Sequence, residues 1–156
     1  GPQDTSTGVA RLQGFRAAVA ERGLAQDEAL VMGCSSWSEA EGARALRDLL
    51  DSGVRFSAVI AGNDMLALGC YDVLGERGIR CPADLSVVGF NDMPFVDKVA
   101  PALTTVHIPH HDLGAEAARL LLDQMTDFRR EERSVLMPVT LSVRESTGPP
   151  RQETSR

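Results

Sequence analysis

The chain has 156 residues, of which 43% are apolar and 24% are charged, and its formal net charge is −6. This length allows one compact domain with a hydrophobic core, and the composition excludes a largely disordered chain. Basic residues cluster only around 129–133 and in the C-terminal tail. Since phosphate binding requires clustered Lys and Arg, we do not expect this chain to bind DNA by itself.

Helix and strand patterns alternate along the chain, which predicts an α/β fold with a parallel sheet flanked by helices. Apolar residues recur at helical spacing over about residues 7–22, and this indicates the first helix. The apolar segment 28–33 (EALVMG) predicts a short strand. Ser38 and Glu41 have the spacing of a capping box, which predicts that a second helix begins there.

The middle of the chain continues this alternation. Residues 57–61 (SAVIA) form a continuous run that predicts a strand buried on both faces. Asp64 is expected to cap the following helix, which covers residues 65–77. Residues 85–90 (LSVVGF) predict the third buried strand, and the prolines within 91–102 indicate an irregular segment.

The last third of the chain predicts a strand at 104–108, a helix at 113–125 and one bent strand or two short ones within 135–143. Residues 149–156 are predicted to form a disordered tail. An apolar stripe runs along the helix and needs a surface to pack against. It consists of Leu113, Ala117, Leu120, Leu121 and Met125.

The cysteines and the N-terminal sequence bear on the cellular compartment. Cys34, Cys70 and Cys81 form neither a CxxC pair nor a zinc-binding spacing, so we expect free thiols in a reducing environment and no metal. No basic-then-apolar leader opens the sequence, and no apolar run is long enough to cross a bilayer. We therefore expect a cytoplasmic protein that does not contact a membrane.

The segment HIPHHD brings His107, His110, His111 and Asp112 close together in sequence. Such a cluster can ligate a metal or supply a general base. The adjacent histidines at a helix start point in different directions, however, and no second cluster completes a site. The chain also has no GxxxxGK, GxGxxG or GxSxG motif. We expect a protein that is not an enzyme and has no cofactor; an enzyme is the alternative that a stoichiometric zinc site would favour.

Four segments carry more than a general α/β pattern. They are GPQDTSTGVARLQGFRAAVAERGL at 1–24, AVIAGNDMLALGCYDVLGERGIRCPADLSVVGFNDMP at 58–94, PALTTVHIPHHDLGAEAARLLLDQM at 101–125 and LSVRESTG at 141–148. In sequence and in order, these segments resemble the LacI/GalR family of bacterial transcription regulators. The resemblance covers essentially residues 1–148.

The resemblance implies a type I periplasmic-binding-protein fold, in which two Rossmann-like subdomains bind a small effector in the cleft between them. By this comparison, residues 1–106 form the C-terminal effector-binding subdomain. Residues 107–133 are a crossover and a helix that the family places in the N-terminal subdomain, and residues 134–148 return to the C-terminal one. The family's helix-turn-helix headpiece is expected to be absent. The helix at 113–125 would lack its native sheet, so we expect it to be displaced, swapped between chains or buried in a dimer.

The resemblance also implies a site for a small hydroxylated, sugar-like effector beyond the carboxyl ends of the strands. Arg11 matches the arginine of an Arg–x–x–Gly–Phe motif, and its fork of donors suits hydroxyls or a carboxylate. Trp37 matches an aromatic position that stacks on a ligand ring. Asn63 follows a predicted strand, where its amide can both donate and accept hydrogen bonds.

Asn91 departs from the family pattern, which usually has Asp at this position. An amide keeps the hydrogen bonding but loses the charge, so it can also donate to an acceptor on the ligand. Ile108 stands where several relatives have a polar contact, and both departures argue against a simple neutral sugar. Thr5 and Thr7 are further candidates, for the rim of the cleft.

Two kinds of macromolecular partner follow from the resemblance. The family dimerises through the helix after Asn-Asp and the loop after Val-Gly-Phe, so a homodimer interface is expected. Packing of Leu66 and Val73 inside their own subdomain is the equal alternative. Operator DNA would be bound only through the headpiece. The interface candidates are Leu66, Cys70, Val73, Pro94, Phe95 and Val96.

The expected mechanism is allosteric: the effector changes the angle between the subdomains and thereby the spacing of the DNA-binding heads. The alternative is a secreted or periplasmic sugar-binding protein of a transporter, which shares the fold. The absence of a leader and the Leu-Thr-Thr and Arg-Glu-Ser-Thr segments favour the regulator.

Overall fold

The computed structural model describes residues 1–24, 27–126 and 133–150, and it contains alternating helices and strands. The elements are α1 (Ser6–Glu21), a 3₁₀ turn (Glu28–Leu30), α2 (Glu39–Asp51), β1 (Ala58–Ile60), α3 (Asp64–Arg77), β2 (Ser86–Asn91), β3 (Thr104–His107), α4 (His110–Thr126) and β4 (Thr140–Ser142). Local signals account for several boundaries. Ser38 caps α2 through its side chain, and Gly78 ends α3 in the left-handed conformation that glycine adopts at little cost.

The sheet has the strand order β1-β2-β3-β4. The first two pairings are parallel, with Val59 opposite Val87 and Gly89 opposite Thr105, and β4 adds antiparallel to β3. Parallel neighbours require crossover connections, and α3 forms the one between β1 and β2. The α/β fold class expected from the sequence is confirmed, and the carboxyl ends of the three parallel strands lie at one edge of the sheet.

The hydrophobic core lies between the sheet and the helix pair α2–α3. Its buried members include Leu46, Leu74 and Leu103. The two helices pack closely because Gly42 and Gly69 face each other's backbones, where a Cβ on Gly42 would overlap the carbonyl oxygen of Leu66 and one on Gly69 that of Glu39. Small residues at these positions allow the close approach.

We expect opposite effects from two glycine-to-alanine changes in α3. Gly69→Ala should lower the free energy of unfolding by about 1–3 kcal/mol, because the new methyl group forces α2 and α3 apart. Gly75→Ala should raise it by about 0.5–1 kcal/mol, because no atom of the described residues lies within 4 Å of the added Cβ and alanine favours the helix. Urea unfolding of both variants measures this; equal effects would contradict the close helix contact.

Two strand predictions need correction. Residues 28–33 form a 3₁₀ turn at Glu28–Leu30 followed by extended chain, and no strand pairing includes this segment among the described residues. Strand β1 is not buried on both faces, since Ala58 is exposed and Ile60 is 63% exposed. Both segments border the same large cavity, which is described below.

The expected capping box and dimer interface are also revised. Glu41 accepts a hydrogen bond from the backbone of Ser35 (2.5 Å), and not from that of the cap residue Ser38. Four of the proposed interface residues belong to the core of this chain, which for Leu66 and Val73 is the alternative given above. The four are Leu66, Cys70, Val73 and Val96. Pro94 and Phe95 remain exposed and stay interface predictions.

Helix α4 has no buried residue. Leu121 and Leu122 are each 62% exposed and Met125 is 73% exposed, so the apolar stripe predicted for this helix has no cover within the described chain. Displacement, swapping or dimer burial of this helix stays a prediction. Part of the basic cluster at 129–133 and of the tail at 149–156 lies outside the described residues. Within the described ranges, no helix is long and apolar enough to span a bilayer.

Candidate effector-binding site

The candidate site lies at the sheet edge where the parallel strands end. Strand β2 ends at Asn91, which is opposite the last residue of β3, His107. The backbone is unusual here, with φ of 120° at Asn91 and 59° at Asp92. Such conformations are rare for residues other than glycine, and they direct the two side chains to different partners.

Arg11 occupies the centre of the site. Its guanidinium carbon lies 3.9 Å from the ring centroid of Phe90 and 5.2 Å from that of Trp37, within the range of cation–π contact. One guanidinium nitrogen donates to the carbonyl of Gly62, and the other lies 3.4 Å from Asn91 Oδ1. Burial lowers the pKa of Arg11, and the negative charge of Asp64 partly offsets this. A cation is thus stacked on two aromatic rings at the strand ends.

Asn63 connects the start of α3 to the loop that carries Trp37. The Asn63 side chain accepts a hydrogen bond from the Leu66 backbone at 2.8 Å and donates one to the Trp37 carbonyl at 3.2 Å. Asn63, and not Asp64, is therefore the residue that caps α3. Its buried amide connects the helix start to the tryptophan loop, and its predicted contact with an effector stays a prediction.

Asp64 has a role that the sequence did not indicate. Its side chain is completely buried, where Oδ1 accepts a hydrogen bond from Thr105 Oγ1 at 2.6 Å and Oδ2 accepts one from the Met93 backbone at 2.8 Å. A Cβ at Gly89 would overlap Asp64 Oδ1, so the glycine provides the space for this carboxylate. Asp64 thereby connects α3, β3 and the loop after Asn91.

Asp92 is the centre of a second polar cluster that sequence reasoning missed. Arg144 donates to Asp92 Oδ1 at 2.6 Å, and Ser142 donates to Oδ2 at 3.0 Å. His107 Nδ1 lies 3.0 Å from the same Oδ2. Burial raises the pKa of Asp92, but the hydrogen bonds from these three side chains outweigh it, so the pKa is lower than usual. The cluster attaches the last strand to the loop that carries Asn91.

The Asp92 cluster predicts a pH dependence of stability. A carboxylate whose pKa is depressed on folding stabilises the protein above its unfolded pKa of about 3.9, and this contribution disappears as the pH falls through the folded pKa. We expect Asp92→Asn to be less stable than the unsubstituted chain at neutral pH, with a difference that shrinks below about pH 4. Urea unfolding at several pH values measures the difference. Asp72→Asn, at an exposed position of α3, is the control, and a pH-independent difference for Asp92→Asn would contradict the depressed pKa.

The remaining candidates lie around this centre. Thr5 caps α1: its hydroxyl accepts a hydrogen bond from the Gly8 backbone and donates one to the Pro2 carbonyl, each at 3.1 Å. Thr7 is exposed, and Ile108 is half-buried after the end of β3. The effector contacts predicted for Thr5 and Thr7 stay predictions.

The three histidines do not share a ligand position. Besides His107 on Asp92, His110 Nε2 lies 3.2 Å from the Asn91 carbonyl oxygen, and His111 Nδ1 lies 3.1 Å from Asp112 Oδ1. Within the described ranges, no group of three or more His, Cys, Asp or Glu side chains is arranged to hold a metal ion. Each histidine therefore has its own local partner.

The sequence matches the family described as periplasmic binding protein-like domain over residues 1–147. It is 38% identical to the HTH-type transcriptional regulator CelR of Thermobifida fusca over 146 residues, which are 94% of this chain and 43% of that protein. It is 39% identical to the regulator AscG of Escherichia coli K12 over 109 residues, which are 70% of this chain and 32% of that protein. The chain thus spans less than half the length of these relatives.

Solved structures agree with the sequence matches. A transcriptional regulator CelR–cellobiose complex superposes with a TM-score of 0.88 at 38% identity, over 94% of this chain and 44% of that one. A LacI-family regulator from Enterococcus faecium with bound ribose superposes with a TM-score of 0.86 at 31% identity, over 96% of this chain and 55% of that one. These relatives are regulators, and they do not favour a transporter's binding protein. The chain belongs to the periplasmic binding protein-like domain family, in the form found in LacI-family transcriptional regulators.

Proposed function

We propose that this chain is part of the effector-sensing region of a LacI-type transcription regulator, and that it binds a small sugar-like metabolite at the strand ends. The observation that carries the proposal is the guanidinium of Arg11, which lies over the rings of Phe90 and Trp37 and beside the amide of Asn91. Aromatic faces suit the apolar face of a sugar ring, and a guanidinium and an amide suit its hydroxyls.

The site favours a ligand that carries hydrogen-bond acceptors. Arg11 presents only donors, and the Nδ2 group of Asn91 is a donor as well. The next residue, Asp92, is a carboxylate whose oxygens already accept hydrogen bonds from Arg144 and Ser142 and lie close to His107. Relatives with solved structures bind cellobiose or ribose, and another is complexed with phosphate. We therefore include sugars and sugar phosphates in the proposed ligand class.

The regulatory part of the proposal concerns the whole gene product. Effector binding would bias the angle between two subdomains and so control a helix-turn-helix headpiece on operator DNA, in a cytoplasmic homodimer. Support comes from the regulator relatives named above, of which this chain matches only a part. The net charge of −6 agrees with a chain that leaves DNA contact to another domain.

A tryptophan fluorescence titration of the complete gene product tests the proposal. Trp37 is the single tryptophan of the 156-residue sequence, and its ring centroid lies 5.2 Å from the guanidinium carbon of Arg11. Tryptophans elsewhere are replaced by phenylalanine, and cellobiose, ribose, ribose 5-phosphate and inorganic phosphate are added in turn. We expect a saturable change in Trp37 emission with one of the organic ligands. A folded protein that responds to none of them would overturn the proposed ligand class.

A further inference from the structure

The candidate effector site opens into the large cavity. This cavity has a volume of about 1010 Å³ and lies between β1 and the extended segment 31–34, with further lining from α1 and α2. Its lining is mostly apolar, and Arg11 is the only charged side chain that lines it in the described part of the chain. The neutral residues Ser6 and Thr7, on the same helix, line it as well. One cation therefore sets the electrostatic character of the cavity.

The positive charge of Arg11 has no carboxylate partner within the described ranges. Its guanidinium has two hydrogen-bond acceptors there, the carbonyl oxygen of Gly62 and Oδ1 of Asn91, and both are neutral groups. The distance to Asn91 Oδ1 is 3.4 Å, which is longer than that of a good N–H···O bond, about 3 Å. This contact is therefore weak, and a ligand oxygen can replace it.

The carboxylates at this end of the sheet already have other partners. Asp64 accepts hydrogen bonds from Thr105 and from the Met93 backbone, and Asp92 forms an ion pair with Arg144 at 2.6 Å. Burial lowers the pKa of Arg11, and the charge of Asp64 offsets only part of this effect. Since a partly buried charge without a counter-charge is costly, a negatively charged group of a ligand would stabilise the guanidinium.

Asn91 keeps the position beside Arg11 neutral. Aspartate has nearly the same shape and, like asparagine, adopts positive φ more readily than most residues, so the φ of 120° does not itself require the amide. With the amide, Asn91 Nδ2 and the Arg11 guanidinium offer N–H donors on neighbouring side chains. A carboxylate or a phosphate presents several acceptor oxygens, and a planar guanidinium binds such oxyanions through two parallel hydrogen bonds. The pair therefore suits an oxyanion.

We propose that the effector is an anion: a small hydroxylated ring whose carboxylate or phosphate group pairs with the Arg11 guanidinium. This inference rests on the proposed function and narrows its ligand class. The oxyanion accepts hydrogen bonds from Arg11 and from Asn91 Nδ2, and the ring lies against the aromatic face of Trp37. A neutral sugar leaves the guanidinium without a counter-charge in apolar surroundings, so it binds less tightly.

Calorimetric titration of the complete gene product compares ligands that share one ring and differ in charge. The first set is glucose, glucuronate and glucose 6-phosphate; ribose and ribose 5-phosphate repeat the comparison on a smaller ring. We expect one anionic ligand to bind at least about tenfold more tightly than its neutral counterpart, because hydrogen bonds to a charged acceptor are stronger. Glucuronate and the sugar phosphates distinguish a carboxylate from a phosphate as the preferred group. Inorganic phosphate, which lacks the ring, should bind more weakly than either.

The variant Asn91→Asp tests the neutral position beside Arg11. Its carboxylate competes for the guanidinium and repels the ligand, so we expect the affinity for the anionic ligand to fall at least about tenfold. Gln13→Glu is the matched control, because it adds the same charge at an exposed position of α1 and does not line the cavity. It should change this affinity by less than about twofold. Unfolding of both variants is measured in parallel.

The outcomes separate this inference from the proposed function. A neutral sugar that binds as tightly as its anionic counterpart, or more tightly, would overturn the anionic effector and leave the sugar-binding function in place. A folded Asn91→Asp protein that binds the anion with normal affinity would also overturn it. If a folded protein binds none of these ligands, the proposed function fails, and the inference fails with it.

Discussion

Replacing Asp64 by alanine is expected to lower the free energy of unfolding by about 3–5 kcal/mol, because each hydrogen bond to a buried charged group contributes about 1.5–3 kcal/mol. The carboxylate is completely buried and accepts hydrogen bonds from Thr105 and the Met93 backbone. Alanine leaves both donors without a partner in the core. Domains of this size are stabilised by only about 5–15 kcal/mol, so the change removes a large share.

Asp64→Asn separates the two hydrogen bonds. The amide keeps one acceptor and turns a donor towards the other partner, so we expect about half of the loss seen with alanine. The control is Asp72→Ala, at an exposed position of the same helix, which should change the stability by less than about 0.5 kcal/mol. Urea unfolding monitored by circular dichroism measures all three variants. Similar effects of Asp64→Ala and Asp72→Ala would show that the buried network contributes little.

Replacing Arg11 by alanine is expected to weaken effector binding by about 30- to 1000-fold, since loss of one or two charged hydrogen bonds corresponds to about 2–4 kcal/mol. The substitution also removes the cation that contacts both the Trp37 and the Phe90 ring. Arg11→Lys keeps the charge but loses the planar fork that stacks and donates in two directions. We expect it to lie between the alanine variant and the unsubstituted protein.

The measurement is the Trp37 titration with the effector found for the unsubstituted protein. Arg80→Ala is the matched control, because Arg80 is an exposed arginine paired with Asp84 in the connection between α3 and β2, which leads into the opposite end of that strand. Its affinity should be unchanged. Unfolding of every variant is measured in parallel, so that a loss of binding can be separated from a loss of folding. An Arg11→Ala protein that is folded and binds with normal affinity would exclude Arg11 from the site.

Local signals in the sequence are sufficient for much of the helical architecture. Ser38 begins α2 and Gly78 ends α3, because capping and left-handed turns depend on residues that are adjacent in the chain. Apart from the segment 28–33, the order of strands and helices also follows from the sequence alone, as does the family resemblance. So does the position of Asn91 at a strand end, because the apolar run before it has the length of a buried strand.

The tertiary structure decided what depends on residues distant in sequence. Residues 28–33 have strand composition but pair with no strand in the described part of the chain, because a strand requires a neighbour and the adjacent space is a cavity. Cys70 and Val73 turned out to be core residues, because only the packing of α3 on α2 determines which face of that helix is buried. Arg11 contacts Trp37 and Phe90, which lie 26 and 79 residues further along the chain. Asp92 contacts Arg144, which lies 52 residues further along. Neither contact has a local signal, since the side chains meet only when the folded sheet brings the ends of distant strands and helices together.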